Sequence, residues 1–235
     1  MSISSRFNVM DRCFAHWPGV AVAVLAGVLC LRSAVLAAPS VDAASPSLDR
    51  FMPRMINDRV VRSVKMGTRY LVKTQRGDGS WLSDGGYGSY PVVMTSLGGI
   101  ALMAGGSTPE SGPYSRNVSH ALNYVLNVAE SGMQEGDNKV LITAGSRGGG
   151  MRSMYGHGFG MLFLAQCYGM EKNRQRAARI KRVLEGAVNL TASAQSDLGA
   201  ASEHAGGWTY TPQSKSDEGS VTVTQLQALR ACRNV

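Results

Sequence analysis

Few residues in this 235-residue chain combine the types and spacing that chemistry needs. Asp217 and Glu218, in KSDEGS, form a tight acidic cluster just ahead of an apolar run. Side by side, two carboxyls can hold a proton between them and work as acid and base. The same pair also suits a helix N-terminus, where the macrodipole favours negative charge. His157 stands out in MYGHGFG, with Tyr155 close by. The other metal-ligating candidates are His120, His204, Cys167 and Cys232, scattered without ligand spacing, so the sequence predicts no metal site and no cofactor. Gly148, Gly149 and Gly150 lie near Arg147 and Arg152, but with no preceding strand and no GK[ST] they read as a turn rather than a phosphate loop.

The elements that must position these residues are helices. Apolar residues recur at helical period over Arg59–Gln75, Pro91–Ala104, Asn117–Ala129, His157–Tyr168, Arg174–Gln195 and Ser220–Cys232. The first, third and fifth runs are amphipathic, whereas the second and fourth are apolar on most sides, as buried helices are. The order is therefore amphipathic helix, turn, mostly apolar helix, three times over. Superposing Gln75, Ala129 and Gln195 also aligns Tyr70 with Tyr124 and Leu190, and Gly67 with Ala121 and Ala187. Leu102, Leu164 and Leu229 then align in the apolar helices. A register kept across so many positions marks a repeat. Stacked hairpins of this kind form a solenoid or closed ring, apolar helices inside and amphipathic ones outside.

In the first copy, Gly67, Tyr70, Leu71, Gln75, Gly79 and Trp81 are spaced as in the QW motif, and the chain resembles the squalene and hopene cyclase and prenyltransferase repeat family from about Ile56 onward. Met66 stands where the motif has a basic residue. Gln195, Gly206 and Trp208 resemble a second copy with a longer turn, and the middle copy has Ala129 in place of glutamine and no tryptophan. The resemblance implies an all-α fold, an α/α toroid of the terpenoid cyclase type, in which the motif glutamine and tryptophan are structural. About three helical hairpins are countable, fewer than a full ring of the family, so a partial toroid is expected. It would be completed by chain outside this sequence or by self-association.

The family's chemistry is not carried over. The cyclases' DxDD acid motif is absent, and no Asp lies two residues before either Cys167 or Cys232 as the prenyltransferase zinc site requires. The toroid would turn the inner-helix starts toward its cavity, making Tyr90, Thr95, Tyr155, His157, Asp217, Glu218 and Thr222 the expected rim, with Tyr87 and Tyr210 near it. Thr95, His157 and Thr222 share one register position, and His157 is expected to open its helix.

Residues 1–38 read as an export signal: Arg6 and Arg12, the apolar run from Gly19 to Leu31, then Ala34, Ala37 and Ala38. The run falls short of the roughly 20 residues that span a bilayer; left uncleaved, the segment would tether the chain to a membrane. Residues 39–55 read as a linker and 56–235 as the repeat domain. The net charge of +8 gives nonspecific attraction to acidic surfaces, and no nucleic-acid partner is expected of an exported protein. Cys167 and Cys232, in apolar helical stretches, are expected as buried free thiols. The expected function is an exported binding or scaffolding module with an extracytoplasmic ligand or protein partner. The alternative is a cyclase or prenyltransferase-type enzyme whose catalytic part lies outside this chain.

Overall fold

The computed structural model describes residues 56–84, 89–134, 136–144, 152–199 and 201–235. The expected signal, the linker, Tyr87 and the segment Arg147–Gly150 lie outside the described residues. Among those described, the fold is all-α, with six helices and no strand: α1 (Asp58–Thr74), α2 (Pro91–Ala104), α3 (Ser115–Ser131), α4 (Ser153–Tyr168), α5 (Arg174–Ala194) and α6 (Gly219–Cys232). None is long and apolar enough to cross a membrane.

Side-chain caps account for three of the helix starts. Asn57 accepts from the backbone N–H of Arg59 and Val60, Asn173 from Gln175 and Arg176, and Glu218 from Val221. Pro91 takes the first turn of α2, where its missing N–H costs nothing. The residue before it, Tyr90, sits at φ 38°, and no other non-glycine residue among those described has a positive φ. A side chain in that region stores about 1 kcal/mol or more of strain.

α4 packs against α2 on one side and α6 on the other, forming a row. α3 lies over α2 and α4, and α5 lies over α4 and α6 beside α3. Leu102, Leu122, Leu126, Met161, Phe163, Leu164 and Ile180 fill the space between these helices, all fully buried. α1 differs from its counterparts. It touches α2 and buries none of its residues, although its apolar positions match those of α3 and α5.

α4 begins at Ser153, four residues earlier than the sequence suggests, so His157 lies in the second turn and does not open the helix. The glycines of MYGHGFG are packing residues. A Cβ on Gly158 would sit 2.6 Å from Thr224 Cγ2 and 2.7 Å from Gln225 Nε2, so a hydrogen there lets α4 and α6 approach. Cys167 and Cys232 are free thiols, the first buried and the second half-buried, and burial pushes the Cys232 thiol up to about 11.

Candidate functional site

Gln75 ends α1, and its side chain turns to the loop that follows. Nε2 donates to the Gly79 carbonyl and to the Asn117 carbonyl, each at 2.9 Å, while Oε1 accepts from Asn117 Nδ2 at 2.6 Å. The Trp81 indole N–H donates to the Leu71 carbonyl at 2.9 Å, which also accepts the Gln75 backbone N–H at the helix end. The Trp81 backbone N–H donates to Thr95 Oγ1 in α2 at 3.0 Å. One short segment thus ties α1 to α2 and to α3.

The third repeat reproduces three of these five bonds. Gln195 Nε2 donates to the Gly206 carbonyl at 2.7 Å, the Trp208 indole to the Thr191 carbonyl at 2.8 Å, and the Trp208 backbone N–H to Thr222 Oγ1 at 3.0 Å. Both tryptophans are buried. Gly79 and Gly206 sit at φ 90° and 84°, the left-handed region that only glycine enters cheaply. The longer turn of the third copy leaves these three bonds in place.

The middle repeat has no tryptophan, and His157 does the equivalent work. The Ile142 backbone N–H donates to His157 Nδ1 at 3.3 Å, as Trp81 and Trp208 donate to Thr95 and Thr222. Nδ1 therefore carries no proton, and Nε2–H points to Thr191 Oγ1 at 2.9 Å and the Ala187 carbonyl at 3.2 Å. Burial lowers its pKa from 6.5 to about 4, against a smaller opposing pull from the Ala187 carbonyl. His157 is a neutral, fully bonded core residue. Thr95 and His157 are wholly buried and Thr222 half-buried, all three tied to backbone N–H groups, so these register positions hold the fold together and do not form a rim.

A different set of the expected rim residues does come together, at the starts of α4 and α6. The Tyr155 hydroxyl bonds to the Ser220 hydroxyl and reaches Glu218 Oε2 at 3.4 Å. Ser220 Oγ donates to the same carboxylate oxygen at 2.6 Å, and the Val221 N–H at 2.9 Å. The Tyr155 and Tyr210 rings lie 6.0 Å apart and tilted by 40°, with the Arg152 guanidinium 5.3 Å above the centre of Tyr210. Asp217 turns away to meet His204 Nδ1 at 2.6 Å. Tyr90, half-buried at the start of α2, is not part of this group.

No family model, curated protein or solved structure matches this chain. The chemistry of the group must therefore be read from its own atoms. The Ser220 hydroxyl, then the Val221 N–H, hold the Glu218 carboxyl below its usual range. A carboxylate so stabilised is a poor base for the serine it touches. Among the described residues, no three His, Cys, Asp or Glu side chains gather where they could hold a metal ion. What the group offers is a surface of two tyrosine rings, a guanidinium, a serine hydroxyl and a carboxylate. Sequence reasoning missed Asn117, Ile142, Thr191, Arg152 and Ser220. Of these Ile142 could have been found, by counting back from His157 about as far as Trp81 and Trp208 precede Thr95 and Thr222.

Proposed function

We propose that this is an exported repeat protein of the squalene-cyclase and prenyltransferase type, with its helix pairs arranged as part of an α/α toroid. It acts as a binding or scaffolding module rather than as one of the family's enzymes. The recurrence of the glutamine, glycine and tryptophan bonds in the first and third repeats carries this reading. It uses the motif's polar atoms for fastening and leaves Tyr155, Tyr210, Arg152, Ser220 and Glu218 as the group that reaches solvent. Paired aromatic rings beside a cation and an anion suit a polar extracytoplasmic ligand with an apolar face, such as a glycan or a short peptide.

The reading is tested by screening the purified chain against glycan and peptide panels. A ligand that binds the wild type and loses about tenfold in affinity with Tyr210→Ala, a change of about 1.4 kcal/mol, supports the assignment. A ligand unaffected by Tyr210→Ala and by Tyr155→Phe removes this surface from consideration.

A further inference from the structure

The repeat register predicts a contact that the single chain does not make. Val64 of α1 superposes on Val118 of α3 and Leu184 of α5, and Val60 superposes on Ile180. Val118 and Ile180 are 0% and Leu184 2% exposed, whereas Val60 and Val64 are 40% and 58% exposed. Beside this stripe, a groove of about 410 Å³ opens between α1 and α2, lined by Leu71, Trp81, Met94, Leu97, Gly98 and Ala101. The same region of the third repeat is filled by α4, which packs on α5 and α6. The first repeat is thus an open seat for an inner helix.

The opposite face of the stack is open in the complementary sense. Val223 of α6 superposes on Ser96 and Gly158, and Leu226 on Gly99 and Met161; all four counterparts are buried, while Val223 and Leu226 are each 53% exposed. A groove of about 480 Å³ between α5 and α6, lined by Leu184, Glu185, Val188, Cys232 and Val235, lies where α5 lies over the preceding pair. Among the described residues, no inner helix packs on the first face and no hairpin packs on the second.

We infer that the α6 face of one copy receives the α1–α2 hairpin of a second copy, head to tail, continuing the packing that joins the repeats within the chain. Internal junctions supply the pairing. A Cβ on Gly99 would lie 2.5 Å from Phe163, and one on Gly158 would lie 2.6 Å from Thr224. Advanced by one repeat, these contacts place Leu226 against Ala101 of the next copy and Val223 against its Leu97. Large meets small at the first pair, and both Leu97 and Ala101 are exposed in the single chain.

Charge does not oppose this direction. Between the outer helices, Arg176 donates to Ser119, and Arg179 and Arg182 pair with Glu130. Glu185 of α5 occupies the place of Ser119, and Arg59 and Arg62 of α1 occupy those of Arg179 and Arg182. Among the described residues, neither Glu185 nor any cation of α1 forms an ion pair. Docked head to tail in this register, Glu185 would lie opposite Ile56 of the next copy, and Arg59 and Arg62 of that copy opposite Ser196, so the contact brings no like charges together. A heterologous contact of this kind gives a closed ring or a longer chain of copies.

Multi-angle light scattering on the full chain tests it, with Val64→Glu and Leu226→Glu as variants. Both positions are exposed, so each variant should fold, which circular dichroism checks. The wild type should run at a multiple of the chain mass and each variant alone as a monomer. An equimolar mixture of the two variants should form a dimer at twice the chain mass, because each retains the face the other has lost. A monomeric wild type overturns the inference, as does a mixture that stays monomeric. So does assembly that survives Leu226→Glu, which would mean that α1 meets another α1 or a different occupant.

Discussion

Acidification should loosen the middle repeat through one residue. His157 is 0% exposed, accepts from the Ile142 N–H on one nitrogen and donates from the other. A second ring proton would therefore displace the Ile142 N–H and put a charge in an apolar interior. Its pKa is about 4 in the folded chain, against 6.5 for an exposed histidine. The unfolded chain binds the proton first, so the stability that the neutral ring contributes is fully present above about pH 6.5. It declines as pH falls between 6.5 and 4 and is gone below that. At about 1.4 kcal/mol per pH unit, the whole window is worth about 3 kcal/mol, and the interval from pH 7 to 5 about 2 kcal/mol. For a domain of this size that lowers Tm by about 4 to 8 °C. The interval avoids the Glu130 carboxyl, which Arg179 holds below 4.5 and which weakens the fold only at lower pH. Thermal melts of wild type and His157→Gln at pH 7, 6 and 5 read the effect: the wild type should lose stability and the non-titrating variant should keep a flat profile. Equal slopes would refute the assignment. If the variant does not fold, a wild-type His157 ring that titrates near 6.5 by NMR refutes it independently.

Gly79→Ala should be far worse than Gly106→Ala, although both residues sit at φ 90°, because a Cβ on Gly79 would lie 2.4 Å from the His120 carbonyl oxygen while Gly106 has nothing within 4 Å. Urea denaturation should show about 1 kcal/mol for Gly106→Ala and several times that for Gly79→Ala. Gln75→Leu should cost about 1 to 3 kcal/mol by stranding the part-buried Asn117 amide and the Gly79 carbonyl, and equal stability of variant and wild type would remove the glutamine from the fastening. Arg179→Ala should cost under about 1 kcal/mol in low salt and less in high salt, since the Arg179 and Glu130 side chains are 36% and 23% exposed.

The helical class was legible because periodicity of apolar residues is a local signal, and all six runs became helices with small shifts at their ends. The start of α4 was not legible: glycines chosen for close approach look the same in sequence as glycines chosen for a turn. Gln75 with Trp81 and Gln195 with Trp208 could be paired by spacing alone, since each set lies in one short segment. Their partners could not, because Leu71 and Thr191 contribute backbone carbonyls, which leave no residue signature, and Asn117 lies 42 residues from Gln75. The same holds for the middle repeat, where the Ile142 N–H replaces that of a tryptophan. His157, which looked like the residue most suited to chemistry, proved to be spent on that N–H. Tyr155 and Glu218 did meet, but they share Ser220 rather than a common cavity with Thr95 and Thr222. The unpaired face of α1 could be seen only by comparing its burial with that of α3 and α5.

The tryptophan of each motif fastens its repeat, through a buried ring and an indole N–H spent on a helix carbonyl. The melting temperature of Trp208→Ala tests it most directly. Trp208 is 4% exposed, packs with Met154, Ala194 and Val221, and donates to the Thr191 carbonyl. Its loss should cost about 3 to 5 kcal/mol and lower Tm by roughly 6 °C or more. A variant that melts with the wild type would contradict the account.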